Sequence, residues 1–267
     1  ETLDNLVLNG TYEELGSEEF ANGSFTGVAD GTDVTTLTNW NTYNSPTSRN
    51  VVDNKLVIVA TGSNQGAYYT LSSLSAGTYK LSVDVSGDVG AGAMYITGAN
   101  SYNVATSVGN VEFYFVASGN TNIFFRAANN NAGTTSYTNI SVKQVDPNDR
   151  WTLGTGWSIE DGKLVGTSVS TQFAQQSLTL TSGTSYEVTF SITGADTLLN
   201  NNSFRYPYDG AVSNINYLPK DSPDGTYTNV FTSTGSSILY LGYIDAGTFT
   251  GTIDNVTVRE YAVQPKD

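Results

Sequence analysis

The chain has 267 residues, and its 25 acidic and 11 basic side chains give it a formal net charge of -14 at pH 7. It contains neither cysteine nor histidine, which excludes disulfides, thiolate or imidazole metal sites and catalysis by a histidine base. The acidic balance disfavours nucleic acid as a partner. No stretch approaches the roughly 20 apolar residues of a membrane span, so we expect no membrane insertion.

The composition favours strands and turns over helices. Aromatic residues make up 12% of the chain, and 27 residues are glycine. Aromatic and β-branched side chains suit the pleated, half-buried surface of a sheet. We therefore predict an all-β protein.

Three sequence blocks occur twice, in the same order and at nearly constant spacing. DNKLV at 53–57 corresponds to DGKLV at 161–165. The other pairs are AGTYKLSVDVSG (76–87) with SGTSYEVTFSITG (182–194), and TNISVKQV (138–145) with DNVTVREY (254–261). The blocks alternate between apolar and polar residues, as half-buried strands do. They predict two tandem antiparallel β-sandwich domains of the jelly-roll, galactose-binding-like type.

The same pattern sets the expected boundaries. We predict a first domain over 1–146, a linker over 147–150, a second domain over 151–262 and a polar tail over 263–267. A tryptophan precedes the DNKLV or DGKLV block in both copies, at Trp40 and Trp151. Core or edge packing is the simpler explanation for both, and ligand stacking stays open as the alternative for each. Trp157, just before the DGKLV block, is likewise expected to pack rather than to stack on a ligand.

The first strand resembles that of carbohydrate-binding modules of the family 4/9 type. NLVLNGTYEE at 5–14 is similar to their opening strand, and IDNVTV at 253–258 is similar to their closing strand. GWSIEDGKLV at 156–165 is similar to their early strand pair, and the second copy also resembles modules of bacteriophage tail fibres and other appendages. The resemblance implies a jelly roll that binds glycans, in a virion or at a cell surface.

The resemblance also implies a structural calcium ion. In such modules the ion ties the first strand to the last through the Glu of the opening motif and the Asp of the closing one. The matching residues here are Glu13 and Asp254. Within the predicted boundaries these two residues fall in different copies. The first copy has Thr138 at the position equivalent to Asp254, and the second copy lacks an opening motif. Each copy therefore keeps half of the pair.

A sugar site requires aromatic faces for stacking and polar groups for the hydroxyls. The segment 200–225 is rich in turn formers and in such side chains, and long polar loops on a rigid sandwich often carry binding. Its candidate ligand-binding residues are Arg205, Tyr206, Tyr208, Asp209, Asn214, Asn216 and Tyr217. Trp40 and Tyr102 are further candidates.

The sequence leaves three functions open. The first is a non-catalytic adhesion module that binds a cell-surface polysaccharide. The second is a structural virion or surface-filament component that associates with itself or with other virion proteins. The third is a fragment of a carbohydrate-active enzyme, which would need two carboxylates about 5 to 10 Å apart across a cleft.

Overall fold

A computed structural model describes residues 4–88, 91–105, 107–127, 132–194, 204–205, 209, 217–218, 222–236, 238–242 and 247–261. Strands dominate this part of the chain, which confirms the prediction of an all-β protein built from antiparallel sandwiches. The chain divides into two compact units. We call Leu15–Val145 the inserted unit, and Glu1–Glu14 together with Asp146–Asp267 the split unit.

The inserted unit contains a 3-10 helix at Val34–Thr36 and a sheet of long and short strands. The strands are β1 (Leu15–Glu18), β2 (Trp40–Tyr43), β3 (Ser48–Val52), β4 (Lys55–Ala60), β5 (Gly66–Gly87), β6 (Ala91–Thr97), β7 (Ser101–Ala105), β8 (Gly109–Arg126) and β9 (Gly133–Val145). Their order is β3-β4-β9-β5-β8-β6-β7, with β1 paired to β9 and β2 paired to β5.

Two long strands, β5 and β8, connect the two layers of this sandwich. The pairing of β5 shifts register between Leu71 and Gly77. Before the shift β5 pairs with β2, and after it β5 pairs with β9, while β8 follows β5 on both sides. Buried side chains from both halves, among them Tyr69 and Leu81, share one hydrophobic core. The resulting sandwich leaves the outer face of each layer available to solvent.

The split unit contains shorter strands. They are β10 (Thr152–Leu153), β11 (Trp157–Glu160), β12 (Lys163–Val169), β13 (Ala174–Ser177), β14 (Ser185–Thr193), β15 (Phe204–Arg205), β16 (Tyr217–Leu218), β17 (Gly225–Thr232), β18 (Ile238–Leu241) and β19 (Phe249–Glu260). They form sheets of order β11-β12-β19-β14-β17, β10-β13-β18 and β15-β16. Trp151 and Trp157 are 5% and 6% exposed, which confirms that they pack in the core.

The repeated blocks fold alike in the two units. Asp53 and Asn54 link β3 to β4 with positive φ angles, and Asp161 and Gly162 link β11 to β12 in the same way. Two consecutive positive φ angles define the type I′ turn, whose twist matches that of an antiparallel hairpin. The sequence similarity at DNKLV and DGKLV therefore reflects a shared hairpin.

The third block contains a shared irregularity. Asn139 in β9 and Asn255 in β19 have φ angles of 51° and 53°, and the pairing of each strand with its neighbour shifts register nearby. In the inserted unit the Asn139 amide donates to the Asp84 carboxylate at 2.7 Å, and Asn110 donates to it at 2.9 Å. These bonds from Asn139 and Asn110 lower the pKa of Asp84 from its ordinary value.

Each unit has the same short motif near its start. The sequence analysis recognised only the copy within residues 5–14. Residues 9–12 read Asn-Gly-Thr-Tyr and residues 22–25 read Asn-Gly-Ser-Phe. The Gly10 carbonyl accepts a hydrogen bond from a β19 amide at 2.9 Å, and the Gly23 carbonyl accepts one from a β9 amide at 3.0 Å. Each motif thus joins the closing strand of its own unit.

This pairing changes the predicted domain boundaries. Residues 1–14, assigned to the first domain by the sequence, group with 146–267. The second copy therefore does not lack an opening segment. Residues 5–12 provide it as an irregular segment that hydrogen-bonds to β19, and the inserted unit separates it in the sequence from the remainder of its unit.

The predicted linker is a turn within the split unit. The Asp149 amide donates to the Asp146 carbonyl at 2.9 Å. The Asp146 side chain, 6% exposed, accepts hydrogen bonds from the Trp151 amide and the Asn9 side chain, each at 2.9 Å. Residues 147–150 therefore belong to the split unit, and the predicted tail at 263–267 lies outside the described residues.

In the part of the chain that the structure describes, no helix is long and apolar enough to cross a membrane.

Candidate functional site

Adjacent aromatic residues in two strands of the inserted unit point to opposite sides of the sheet. Tyr69 in β5 and Phe125 in β8 are 2% and 0% exposed and lie in the core. Their neighbours Tyr68 and Phe124 are half-buried, on the outer face. Successive side chains alternate across a strand, so each aromatic pair contributes one ring to the core and one ring to the surface.

The strand register extends this outer face across five strands. Tyr68 lies opposite Asn41 of β2 and Phe124 of β8. Phe124 in turn lies opposite Tyr95 of β6, which lies opposite Asn103 of β7. Directly opposed residues share one face of an antiparallel sheet. The row therefore presents three aromatic rings with an exposed asparagine at each end.

Phe124 is the centre of this aromatic group. Its ring centroid lies 4.8 Å from that of Tyr43, 5.0 Å from that of Tyr68 and 5.9 Å from that of Tyr95. All four rings are half-buried. We call Tyr43, Tyr68, Tyr95 and Phe124 the aromatic face. Their mutual contacts fix the rings, so that a ligand meets a preformed surface.

Polar side chains form the next row along the same face. Thr70 of β5 lies opposite Asn122 of β8, and the Thr70 hydroxyl donates to the Asn122 amide oxygen at 2.8 Å. Asn122 also lies opposite Thr97 of β6. Amides and hydroxyls both donate and accept hydrogen bonds, and they border the rings on this side.

Arg126 lies on the opposite side of the rings from this polar row. Its guanidinium carbon lies 5.1 Å from the Tyr95 ring centroid and 5.9 Å from the Tyr43 ring centroid. Gly66 stands between Tyr43 and Arg126 in the register, so no side chain separates the ring from the guanidinium. Burial lowers the pKa of Arg126, and the Tyr43, Tyr137 and Tyr95 hydroxyls oppose that effect.

The arrangement suits a sugar. Aromatic rings pack against the C–H faces of a pyranose, while the surrounding amides, hydroxyls and guanidinium bind its hydroxyl groups. The described residues assigned to this surface include no carboxylate. The groups described there are therefore ones that stack and form hydrogen bonds.

The split unit has a smaller counterpart. Tyr240 in β18 is half-buried between the buried Leu239 and Leu241, as Phe124 is between Ile123 and Phe125, and it lies opposite Gln175 of β13. The Phe173 ring is 4.6 Å from the Tyr240 ring, at right angles to it. Among the residues that the structure describes there, the group has two aromatic rings where the inserted unit has four.

Three concavities elsewhere on the described part of the chain are small. Three concavities lined by described residues have volumes of about 180, 200 and 210 Å³. Pockets for small-molecule ligands usually measure about 300 to 1,000 Å³. These three concavities are therefore smaller than a typical small-molecule site.

Trp40 belongs to the core, which corrects its place among the ligand-stacking candidates. It is 6% exposed. Its ring centroid lies 5.3 to 5.9 Å from those of Phe20, Phe25, Tyr69 and Phe125. Since Trp40 starts β2 on the core-facing side, the neighbouring Asn41 and not Trp40 reaches the outer face.

Tyr102 is also turned away from the aromatic face. It lies opposite the buried Ile96 in the register. Its hydroxyl accepts a hydrogen bond from the Val116 amide at 3.1 Å, and its ring packs 5.8 Å from that of Phe113. The next residue, Asn103, takes the place on the outer face that Tyr102 was expected to have.

The predicted site at 200–225 lies only partly within the described residues. Arg205 and Tyr217 pair in the β15–β16 hairpin. Asp209 is fully buried and accepts a hydrogen bond from the Thr234 amide at 2.9 Å. It is therefore a structural carboxylate, contrary to the expectation of an exposed loop residue. Four candidates lie outside the described residues: Tyr206, Tyr208, Asn214 and Asn216.

The two predicted calcium ligands belong to the same unit. Glu13 and Asp254 both fall in the split unit, whereas the matching positions of the inserted unit are Thr26 and Thr138. The expectation that each copy keeps half of the pair is therefore wrong, because the opening segment at residues 5–10 is hydrogen-bonded to β19. The described residues contain no cluster of three or more Asp, Glu, His or Cys side chains. Backbone and neutral oxygens would have to complete the six to eight ligands of calcium.

The sequence contained a signal for the surface that was overlooked. Tyr68, Phe124 and Arg126 were not among the predicted site residues. The adjacent aromatic pairs at 68–69 and 124–125 indicate strands with rings on both faces. A surface ring next to a core ring is the pattern that would have identified this face.

No protein-family model matches the sequence, and no curated protein matches it significantly. Among solved structures, the CBM22-1-CBM22-2 tandem domain of Xyn10C from Paenibacillus barcinonensis has 9% identity and a TM-score of 0.34 over 93% of this chain and 99% of that chain. A structure described as "CBM4 structure and function" has 14% identity and a TM-score of 0.26 over 52% of this chain and 99% of that one.

Allantoicase from Saccharomyces cerevisiae has 10% identity and a TM-score of 0.31 over 97% of this chain and 93% of that chain. The structural neighbours thus include tandem carbohydrate-binding modules and an enzyme. At these identities and TM-scores the neighbours assign no role to individual residues, and such roles are inferred here only from the geometry of this chain.

Proposed function

We propose that this protein is a non-catalytic glycan-binding module, and that the aromatic face of the inserted unit stacks against sugar rings. The observation that supports this most is the group of three tyrosines around Phe124 on the outer side of a sheet. Four aromatic rings turned away from the core bury less apolar area than the same rings turned inward. A ligand that covers them explains their position.

The shape of the surface indicates an extended ligand. The row from Asn41 through Tyr68, Phe124 and Tyr95 to Asn103 crosses five strands. Neighbouring strands lie about 4.8 Å apart, so the row measures roughly 19 Å. That length corresponds to several sugar residues, which favours a polysaccharide over a single monosaccharide.

Substitution on the aromatic face tests the proposal. We expect Tyr68→Ala and Tyr95→Ala each to weaken binding on a glycan array by about tenfold or more, which corresponds to about 1.4 kcal/mol. Tyr114→Ala is the matched control, since Tyr114 is a half-buried tyrosine on the outer face of the other layer. Binding that survives both face variants would reject this surface as the site.

The segment 200–225 provides the competing location. A Tyr206→Ala plus Tyr208→Ala variant is expected to bind as the unchanged protein does. Loss of glycan binding in this double variant, with binding retained in Tyr68→Ala, would transfer the site to the split unit. Loss of oligomers without any glycan binding would support self-association as the function, and native mass spectrometry measures this.

The proposal extends to biological setting and to calcium. We propose that the module acts in a virion appendage or at a cell surface, as the similarity of the second copy to appendage modules implies. We also propose that Glu13 and Asp254 hold a structural calcium ion in the split unit. An ion there would stabilise the closing strand against the opening segment.

A further inference from the structure

Arg126 carries a positive charge that no described carboxylate neutralises. It is 8% exposed. Its one side-chain hydrogen bond in the described part of the chain runs from Nη1 to the amide oxygen of Asn64, at 2.5 Å. The Nε atom is buried and has no partner among the described residues. No described Asp or Glu lies within 4.0 Å of the guanidinium.

This environment is unusual for arginine. A buried charge is ordinarily paired with an opposite charge, because removal from water is unfavourable. Neutral arginine is not accessible near pH 7, so burial does not discharge the group. Two tyrosine rings and one neutral amide supply only partial compensation. The guanidinium therefore retains an unused capacity to bind an anion.

The backbone holds Arg126 firmly in this position. The Tyr137 hydroxyl donates to the Arg126 carbonyl at 2.6 Å, and Tyr137 is fully buried. The Asn64 side chain fixes the guanidinium from the other direction. A preorganised guanidinium loses little entropy when it binds, which suits a recognition role.

The location decides what kind of anion fits. Arg126 borders Tyr43 and Tyr95, two members of the aromatic face. A ligand stacked on those rings brings its ring substituents to the guanidinium. The chain as a whole has a net charge of -14, so an anionic ligand is repelled elsewhere and needs a local positive group.

On the basis of the proposed function, we infer that the aromatic face recognises an acidic glycan, whose carboxylate or sulfate group binds Arg126 while an adjacent sugar ring stacks on Tyr43 and Tyr95. Carboxylates and sulfates present oxygens that match the guanidinium fork. The tyrosines supply general affinity for sugar rings, and Arg126 supplies the selectivity for acidic sugars.

A glycan array with paired probes tests the inference. Each acidic glycan, such as a polygalacturonate or a sulfated galactan, is printed beside its carboxyl-reduced or desulfated counterpart. The intact protein is expected to prefer the acidic member of a pair by about tenfold to a hundredfold, the value of one charge-assisted hydrogen-bonded contact. The preference should decrease as salt rises, since ionic screening weakens it.

Three variants distinguish loss of the Arg126 charge from loss of the fold. Arg126→Gln removes the guanidinium, and Arg259→Gln removes the same charge from an exposed position on β19. Asn64→Asp leaves Arg126 in place but gives it an internal carboxylate at the position of the present amide oxygen. We expect Asn64→Asp to abolish the acidic preference without a loss of melting temperature, which guards against misfolding of Arg126→Gln.

The outcomes are distinct. The inference is established if the intact protein and Arg259→Gln prefer acidic probes and both Arg126→Gln and Asn64→Asp lose that preference. Equal binding of acidic and neutral probes that Tyr68→Ala abolishes would overturn the inference and leave the proposed function intact. Binding of no probe by the intact protein, or binding unaffected by Tyr68→Ala, would count against the proposed function itself.

Discussion

The N-terminal segment should stabilise the split unit, although the inserted unit follows it directly in the sequence. Tyr12 provides the sharpest test of this assignment. It is 1% exposed, and its ring centroid lies 5.2 Å from that of Trp151. A substitution at Tyr12 should therefore loosen strands that come more than a hundred residues later in the chain.

The expected magnitude follows from the burial of the ring. Replacing a fully buried large aromatic residue by alanine usually costs about 3 to 5 kcal/mol. The hydroxyl of Tyr12 is buried and has no hydrogen-bond partner among the described residues, so Tyr12→Ala breaks no bond there. Because a domain is stable by only about 5 to 15 kcal/mol, the split unit should lose a large share of its stability.

Hydrogen exchange locates the effect. The Val256 amide, bonded to the Gly10 carbonyl, reports on the split unit, and the Ile140 amide, bonded to the Gly23 carbonyl, reports on the inserted unit. Tyr12→Ala should accelerate exchange at Val256 by more than about a hundredfold and leave Ile140 unchanged. Phe25→Ala, the equivalent change in the inserted unit, should produce the reverse pattern.

A conservative control isolates the hydroxyl. Tyr12→Phe keeps the ring and gives the split unit the residue type that the inserted unit has at Phe25. Burial raises the pKa of Tyr12, and the charges of Asp254 and Asp146 raise it further, so the hydroxyl stays neutral. Removing an unpaired buried hydroxyl should be neutral or stabilising. If Tyr12→Ala accelerated exchange of the Ile140 amide more than that of the Val256 amide, relative to the unchanged protein, the assignment of residues 1–14 to the split unit would be refuted.

Three further predictions concern single groups. Gly23→Ala should destabilise the inserted unit by roughly 2 kcal/mol or more, because its Cβ would lie 1.8 Å from the Ile140 carbonyl oxygen, while Gly225→Ala, in open space, should have little effect in denaturant melts. Because folding lowers the pKa of Asp84, its ionised carboxylate stabilises the folded state at pH values above its unfolded pKa of about 3.9, and this contribution is lost as the pH falls through the folded pKa. Asp84→Asn should therefore make the decline in stability at acid pH less steep. An unchanged decline would contradict this assignment. Calcium in place of a chelator should raise the melting temperature of the split unit, and a shift that persists in Asp254→Asn would exclude Asp254 as a ligand.

The sequence by itself determined the local structure. Alternation of apolar and polar residues predicted the strands, and DNKLV and DGKLV marked equivalent type I′ hairpins, in which Asp53 and Asp161 have φ angles of 49° and 56°. These features depend only on residues near in sequence, namely the period of a strand and the φ preference of turn residues. Burial of Trp40 and Trp151 followed from the same repeat, since a tryptophan precedes the block in both copies.

Which opening motif joins which closing strand was decided only by the tertiary structure. Both motifs share an Asn-Gly pair followed by an aromatic residue, so their local chemistry does not distinguish β19 from β9 as a partner. The pairing depends on contacts far apart in sequence, such as that of Tyr12 with Trp151. Residues 1–14 were assigned to the first domain, and Glu13 was thereby separated from Asp254, for this one reason, whereas the boundary predicted at 146 lies within one residue of the division after Val145.

The candidate surface has the same origin. Each ring of the aromatic face comes from a different strand, and the four come together only through the register of β2, β5, β8 and β6. The sequence determines that Tyr68 and Phe124 point away from Tyr69 and Phe125, because side chains alternate along a strand. That they meet Tyr43, Tyr95 and the Arg126 guanidinium is a consequence of sheet order, which no short stretch of sequence encodes.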